Sequence, residues 1–206
     1  IDRFIIVSSV ARQVLWKKYH PLTTTIPNGI DLTRFKPGNR PVVRWRDAER
    51  PNCPAQPGRS ASGRINILYV GRIDERKGLP YLLAAFKRLQ AETLTPLRLL
   101  VAGEGELKRS CQKTTAQERI KNVVFLGYVR AEALPNYYAS AAIFCSPAIF
   151  GESFGVVLLE AMASGLPVVA FANNGYREVL TGEGARYAVK VKDVALLAAA
   201  LKTLVE

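Results

Sequence analysis

Residues 142–171 read AIFCSPAIFGESFGVVLLEAMASGLPVVAF and contain the clearest pattern of secondary structure in the chain. Its two ends, Ala142–Ser146 and Pro167–Phe171, are short apolar runs, typical of strands that are buried on both faces of a parallel sheet. Between them, Val156–Ala163 predicts a largely apolar helix, and Gly165 is well placed to end it. The stretch therefore predicts a strand, a long loop, a helix and a second strand.

The same alternation runs through the chain from residue 65 onward. Apolar runs predict further strands at Ile65–Val70, Leu97–Val101, Val123–Leu126 and Tyr187–Val191. Helical spacing predicts further helices at Leu79–Leu89, Glu106–Arg119, Ala131–Ala139, Tyr176–Leu180 and Asp193–Val205. Apolar strands that alternate with amphipathic helices indicate an α/β domain with a doubly wound parallel sheet (Rossmann-like), whose ligand lies at the carboxyl ends of the strands.

The first 64 residues are organised differently. Phe4–Val10 predicts a strand and Val10–Tyr19 a helix, and we assign residues 1–35 to the tail of a preceding domain and a hinge. Residues 36–64 are rich in proline and glycine and predict a loop or linker, which leaves residues 65–206 as the Rossmann-like domain. Because the chain begins with Ile1 and its only methionine is Met162, we expect a piece of a longer protein.

The charge of the chain is strongly basic and unevenly spread. The net charge is +12, from 29 Lys and Arg against 17 Asp and Glu, and residues 1–64 contribute +8 of it (12 basic minus 4 acidic). Such a segment can attract anionic lipid headgroups or acidic substrates, or it can simply be a solvated surface. No aromatic–basic alternation accompanies the charge, so we expect no nucleic-acid partner.

Cysteine, histidine and hydropathy exclude several other classes. Three scattered cysteines and a single histidine indicate neither a disulfide framework nor a metal site, and they fit a reducing, cytoplasmic location. No apolar run reaches the ~18 residues that a membrane-spanning helix requires.

Two cations follow the first strand of the domain. Gly71 allows a sharp turn, and Arg72 and Lys77 then lie between the strand end and the next helix. An arginine fork and a lysine point charge at this position can bind a phosphate or diphosphate. A charged solvent loop would have a similar sequence. The turn at residues 103–106 carries acids where a phosphate would lie, and an acidic helix start explains it.

Two carboxylates flank the start of the helix at Val156. The free backbone N–H groups of residues 154–157 form an anion site there. Glu160 lies in an otherwise apolar helix, where a carboxylate is costly unless it is hydrogen-bonded, and the hydroxyl groups of a sugar or ribose would satisfy it. The alternative is that Glu160 pairs with a basic residue and that Glu152 is a surface acid.

Together these residues resemble a known family. Glu152 and Glu160, with seven residues between them, are similar to the E-x7-E signature of retaining glycosyltransferases of family 4, the glycosyl transferases group 1. Further segments match in order: Pro27–Asp31 with Phe35 and Pro37, Val70–Arg72 with Lys77 and Gly78, and Phe125–Val129. The resemblance implies the GT-B architecture of two Rossmann-like domains facing a cleft, of which this chain is the C-terminal, donor-binding half.

The resemblance also implies a role for each matching residue. Arg72 and Lys77 would hold the diphosphate of a nucleotide-sugar donor, and Glu152 would contact the donor sugar, so these three are the expected catalytic residues. Glu160 would accept hydrogen bonds from the ribose. Further donor contacts are expected from Gly71, from Gly127, Tyr128 and Val129 against the base, and from Ser153, Phe154, Gly155 and Val156. No cofactor is expected, because the nucleotide-sugar is a substrate, and no metal is expected, because Arg72 and Lys77 would stabilise the leaving diphosphate.

These roles describe the transfer of a hexose from a nucleotide-diphosphate sugar to a hydroxyl acceptor with retention. The acceptor is expected to be a sugar or a lipid-linked sugar, with the protein peripheral on an anionic membrane surface. A complete member needs an N-terminal acceptor domain, so the isolated chain should bind donor weakly and turn over slowly or not at all. One alternative is a non-catalytic nucleotide-sugar-binding module that needs a partner domain. A GT-B epimerase is a further alternative, which the two glutamates with Arg72 and Lys77 disfavour.

Overall fold

The computed structural model of the chain describes residues 4–13, 23–37 and 63–206. Its strands are β1 (Phe4–Ile6), β2 (Thr23–Thr25), β3 (Ile65–Val70), β4 (Leu97–Ala102), β5 (Val123–Gly127), β6 (Ile143–Ser146), β7 (Val168–Phe171) and β8 (Ala188–Val189). Its α-helices are α1 (Ser9–Gln13), α2 (Leu79–Glu92), α3 (Lys108–Gln117), α4 (Leu134–Ser140), α5 (Val156–Ala163), α6 (Asn174–Val179) and α7 (Val194–Val205). Most of the predicted linker, and the end of the helix predicted to reach Tyr19, lie outside the described residues.

Strands β3 to β8 form a six-stranded sheet in the order β5-β4-β3-β6-β7-β8, and all neighbouring strands are parallel. One apolar core lies on the face covered by α2, α3 and α7, and a second lies on the face covered by α4, α5 and α6. The doubly wound α/β fold predicted from the sequence is confirmed. Strands β1 and β2 pair in a separate parallel sheet.

The continuous apolar runs have a simple cause, which is that each central strand supplies both cores. In β3, the side chains of Ile67 and Tyr69 belong to the α2 side, whereas Leu68 belongs to the α5 side. All three are buried. A fully buried large apolar side chain contributes about 1.5–3 kcal/mol to stability, so both faces favour apolar residues.

The direction of strand order reverses between β3 and β6, which lie side by side. The loops that follow them, residues 71–78 and 147–155, therefore leave the sheet at the same edge, where ligands bind in open α/β sheets. Gly78 permits their close approach. It has a φ of +68°, and a Cβ at this position would overlap the carbonyl oxygen of Pro147.

Several predicted boundaries are wrong by a few residues. The strand predicted at Phe4–Val10 ends at Ile6, because α1 begins at Ser9 and the Ser8 hydroxyl accepts a hydrogen bond from the Ala11 N–H at 3.0 Å. The helix predicted from Glu106 begins at Lys108, and the Leu107 N–H before it bonds across to the carbonyl oxygen of Ile73 at 3.0 Å. No helix within the described ranges is both long and apolar enough to cross a bilayer.

Candidate functional site

The loop after β3 is organised around the carboxylate of Asp74. This carboxylate is nearly buried, caps the short helical turn Glu75–Lys77 by accepting the Lys77 N–H at 3.1 Å, and pairs with Arg76 at 3.2 Å and with Arg72 at 3.5 Å. The Tyr69 hydroxyl donates to the carbonyl oxygen of Arg72 at 2.7 Å and so fixes the backbone there. The Arg72 side chain remains 74% exposed, so its guanidinium is accessible to a ligand while its backbone is held in place.

Lys77 and Glu152 join the two loops directly. The Lys77 ammonium lies 2.6 Å from Glu152 Oε1, and the two side chains are only 18% and 9% exposed. The prediction that Glu152 could be a surface acid is therefore wrong. An ammonium group has three N–H donors, so Lys77 can keep this partner and still donate to a phosphate oxygen.

The loop after β6 is held on both sides by backbone contacts. The Ile149 N–H donates to the carbonyl oxygen of Arg76 at 2.7 Å, and the buried Asn173 side chain donates to the carbonyl oxygen of Ala148 at 2.9 Å. Asn173 also caps α6 by accepting from the Tyr176 N–H at 3.0 Å. Glu152 is thus presented by a loop of defined conformation rather than by a free surface segment.

Helix α5 begins where the sequence predicted, with Gly155 as its N-cap at a φ of +90°. Gly155 lies on the ring of the buried Tyr176, and a Cβ there would be 2.6 Å from Tyr176 Cε1. The Tyr176 hydroxyl shares a 2.7 Å hydrogen bond with Ser146, and burial raises its pKa above the ordinary value. Gly155 offers no side chain to cap the helix, so within the described residues the first N–H groups of α5 have no side-chain cap.

Glu160 lies on α5 below this helix start and is half-buried. Its Oε2 accepts a hydrogen bond from the buried Tyr138 hydroxyl at 2.8 Å. Burial raises the pKa of the Glu160 carboxyl, and the Tyr138 hydrogen bond and the charge of Arg34 oppose that rise. Within the described residues Glu160 forms no ion pair at contact distance, and Arg34 is the basic residue whose charge acts on it.

An apolar cleft of about 290 Å³ adjoins the Arg72 loop at the ends of β3, β4 and β5. Its lining includes Gly71, Arg72, Tyr128 and Val129 from the predicted site, together with Val70, Ala102, Gly103, Glu104 and Leu134. Gly127 borders it, since a Cβ on that residue would be 2.9 Å from Glu104 Oε1. The structure thus brings together three of the residues that the family resemblance placed near a base.

A second cleft, of about 550 Å³, lies between α1 and the loop after β6. Its lining includes Glu152 and Ser153, with Phe150 and Asn174 beside them. Phe154 and Val156 follow on the same loop and helix start, half-buried and exposed respectively. Within the described part of the chain no cluster of three or more His, Cys, Asp or Glu side chains could hold a metal ion.

Sequence reasoning missed several residues that organise this site. Asp74 had a visible signal, because an acid before a short helical turn is a preferred N-cap. Tyr138 and Glu178 had none, because their partners are distant in sequence. The Glu178 carboxylate accepts from the N–H groups of Ser9 and Val10, each at 3.2 Å, and also from the Ser9 hydroxyl. These hydrogen bonds connect α1 to α6.

Comparison with known proteins places this geometry in context. The family model for glycosyl transferases group 1 matches residues 55–206. The phosphatidyl-myo-inositol mannosyltransferase of Mycolicibacterium smegmatis is 34% identical over 203 residues, which cover 98% of this chain and 48% of the relative. The chain spans about half the length of the curated relatives that it matches.

Two solved structures are similar in fold. HepE of Anabaena in complex with UDP and glucose superimposes with a TM-score of 0.76 at 20% identity, over 100% of this chain and 54% of that one. The C-terminal domain of a glycosyl transferase group 1 family protein from Francisella tularensis gives a TM-score of 0.68 at 22% identity, over 85% of this chain and 87% of that one. The second match corresponds to a single domain rather than to a whole enzyme.

A double-mutant cycle tests the contact between Lys77 and Glu152. We expect Lys77→Met to destabilise the chain by about 2–5 kcal/mol, because it leaves a nearly buried carboxylate without its partner. Chemical unfolding of Lys77→Met, Glu152→Gln and the double variant should give a coupling energy of about 1–3 kcal/mol.

The exposed pair Lys87–Glu118 is the matched control, since its atoms lie 3.1 Å apart and its side chains are 53% and 47% exposed. Its coupling energy should stay below about 1 kcal/mol. Equal coupling energies for the two pairs would contradict the description of Lys77 and Glu152 as a buried bridge between the loops.

Proposed function

This chain belongs to the glycosyl transferases group 1 family, and from that premise we propose that it is the donor-binding half of a retaining hexosyltransferase. The whole protein would move a hexose from a nucleotide-diphosphate sugar to a hydroxyl acceptor. The observation that carries the proposal is the 2.6 Å contact between Lys77 and Glu152. It joins the expected phosphate-binding loop to the expected sugar-binding loop at the position where α/β sheets bind ligands.

The proposed chemistry is electrostatic. On one face of the sugar, the oxygen of the acceptor hydroxyl forms a bond to C1 while the bond from C1 to the β-phosphate oxygen breaks. Negative charge grows on the departing nucleoside diphosphate, whose oxygen takes the proton of the acceptor hydroxyl. Arg72 and Lys77 stabilise that charge, and the uncapped N–H groups at the start of α5 add to the positive potential. Glu152 holds Lys77 in place before the donor binds, whereas Arg72 pairs with Asp74 at 3.5 Å and keeps an exposed side chain.

The remaining donor contacts combine the two clefts with residues of α5 and of the segment before it, which line neither cleft. We propose that the base lies against Tyr128 and Val129 in the apolar cleft and that Glu160 accepts from the ribose hydroxyls. Glu152, with the backbone of Ser153, Phe154, Gly155 and Val156, would then contact the sugar and phosphate. The bound UDP and glucose of the Anabaena structure support a nucleotide-sugar as the donor class. No resident metal or cofactor is part of the proposal.

The acceptor side of the proposal concerns the whole protein. We propose that a further domain supplies the acceptor site, and that the acceptor is a sugar or a lipid-linked sugar. The name of the mannosyltransferase relative, which includes a phosphatidyl lipid, favours the lipid-linked class. A non-catalytic nucleotide-sugar-binding module is the second candidate. The two differ in one outcome, because only a transferase consumes donor when acceptor and the remaining domain are supplied.

Calorimetry tests the donor site. We titrate GDP, UDP and ADP into the chain and into Arg72→Ala and Glu160→Ala, and the tightest of the three nucleotides identifies the base. We expect both variants to bind that nucleotide at least about tenfold more weakly, which corresponds to a loss of about 1.4 kcal/mol.

The control is Arg88→Ala, which removes an exposed arginine from α2 whose side chain pairs with Glu92. Its affinity should remain within about twofold of the wild type, since exposed ion pairs contribute little. If neither Arg72→Ala nor Glu160→Ala weakens binding, the assigned donor site is wrong.

The basic front of the chain supports a second, independent proposal about location. We propose that the protein is cytoplasmic and docks peripherally on anionic membranes through the +8 charge of residues 1–64. Most of these 64 residues lie outside the described ranges. Co-sedimentation with phosphatidylserine vesicles should be measurable at low ionic strength and should decline as salt is added. Binding that is insensitive to salt, or equal on neutral phosphatidylcholine vesicles, contradicts docking by charge.

A further inference from the structure

We propose that Tyr138 is a positioning residue for nucleotide binding, whose hydroxyl holds one oxygen of the Glu160 carboxylate so that the other remains available to the ribose. The inference rests on the proposed function, because it takes Glu160 as the ribose contact. It adds a residue that the sequence motifs did not indicate, on a helix that is outside the two loops of the donor site.

The two oxygens of the Glu160 carboxylate differ in their hydrogen bonding. Oε2 accepts from Tyr138 at 2.8 Å, whereas Oε1 has no hydrogen-bond partner in the described part of the chain. An ionised carboxylate can accept on both oxygens, so Oε1 retains its capacity for a ligand hydroxyl. With one oxygen held, the carboxylate loses much of its rotational freedom before the ligand arrives, which reduces the entropic cost of binding.

The surroundings of Tyr138 fix both its ring and the direction of its hydroxyl group. Its ring is buried between Phe35, edge-on at 5.7 Å between ring centroids, and Phe144 at 5.4 Å. The hydroxyl has a single proton and two nearby acceptors, Glu160 Oε2 at 2.8 Å and the carbonyl oxygen of Val157 at 3.4 Å. The shorter, charge-assisted bond to the carboxylate is the stronger one, so the ring and its proton are committed to Glu160.

The turn at residues 31–35 supports the same carboxylate from another direction. Asp31 shapes this turn by accepting from the Thr33 N–H at 2.8 Å and from the Thr33 hydroxyl at 2.6 Å. The Phe35 ring then packs against the Tyr138 ring. Arg34 donates to the carbonyl oxygen of Ala131 at 2.8 Å, and its positive charge lowers the pKa of Glu160. A segment far from the site in sequence thus supplies two supports for the ribose contact.

The positioning role of Tyr138 should be visible in the pH dependence of nucleotide binding. Burial raises the pKa of Glu160, and the groups that oppose the rise are Tyr138 from α4 and Arg34 from the turn. Nucleotide binding should weaken as pH falls through the pKa of Glu160, because protonation removes acceptor capacity. Removing the Tyr138 hydroxyl takes away a lowering influence, so the pKa rises further and the acidic loss of affinity begins at higher pH.

The experiment measures binding of the preferred ribonucleoside diphosphate, and of its 2′,3′-dideoxy analogue, between pH 5 and pH 9. We expect Tyr138→Phe to bind the ribonucleotide about three- to tenfold more weakly, the range that corresponds to one hydrogen bond, with its acidic limb moved to higher pH. The dideoxy analogue should be unaffected by the substitution, because it lacks the hydroxyls that Glu160 contacts. A purely structural role would weaken both ligands equally.

Two further variants make the result decisive. Tyr81→Phe is the matched control, since Tyr81 packs on Phe171 and its hydroxyl forms no hydrogen bond within the described residues, and it should leave affinity and pH profile unchanged. Arg34→Met removes the second support and should move the acidic limb in the same direction as Tyr138→Phe, which keeps the proposal testable if Tyr138→Phe is unstable.

Glu160→Gln separates the failure of this inference from failure of the proposed function. If Glu160→Gln weakens ribonucleotide binding but Tyr138→Phe changes neither the affinity nor the acidic limb, the positioning role is overturned and the donor site stands. If Glu160→Gln also has no effect, Glu160 is not the ribose contact and both proposals fall. In the Glu160→Gln background, Tyr138→Phe should produce no further shift of the pH profile.

Discussion

Two parallel strands that are adjacent in space but far apart in sequence, β3 and β6, force their following loops into one small volume. The contact between Gly78 and the carbonyl group of Pro147 fixes how closely these loops approach. The Lys77–Glu152 ion pair then lies between them, largely removed from water. Since a buried charge is tolerated only with a partner, each loop depends on the other for its conformation. The remaining parts of the site are arranged around this bridge.

The two glutamates of the motif are stabilised in different ways. Glu152 has a cation as its partner and is presented by a loop, whereas Glu160 has a neutral tyrosine hydroxyl and lies within a helix. The direct partner of Glu160 is neutral and Arg34 acts on it only through its charge, which suits a group that is to accept hydrogen bonds from a ligand. A cationic partner suits Glu152, which adjoins the proposed diphosphate and would otherwise repel it.

The sequence predicted the fold well because hydrophobic periodicity is a local signal. The apolar runs of β3, β4, β6 and β7 are buried along nearly their whole lengths, and the glycine at position 165 follows α5 with a φ of +75°, as expected for a helix end. Boundaries were less accurate where a contact from elsewhere decided them. At the start of α3, for example, the Leu107 N–H bonds to Ile73 in a neighbouring loop, a contact that the local pattern does not contain.

The candidate site was predictable only in part, for the same reason. Arg72, Lys77, Glu152 and Glu160 could be named as candidates from the sequence because they belong to compact motifs. Their mutual contacts were not, and the sequence left open whether the two glutamates had partners. Tyr138 is separated from Glu160 by more than twenty residues, and it lies in a helix whose composition indicates only packing. Residues of this kind become visible when the topology brings their helices together.

A crystal structure of the chain with its preferred nucleoside diphosphate is the most direct test of the central claim. We predict a ribose hydroxyl within hydrogen-bond distance of Glu160, about 2.6–3.2 Å, and phosphate oxygens within the same distance of Arg72 and Lys77. The base should lie in the cleft beside Tyr128 and Val129. A nucleotide bound at the opposite edge of the sheet, or bound at this edge without touching Glu160 and Lys77, would contradict the account.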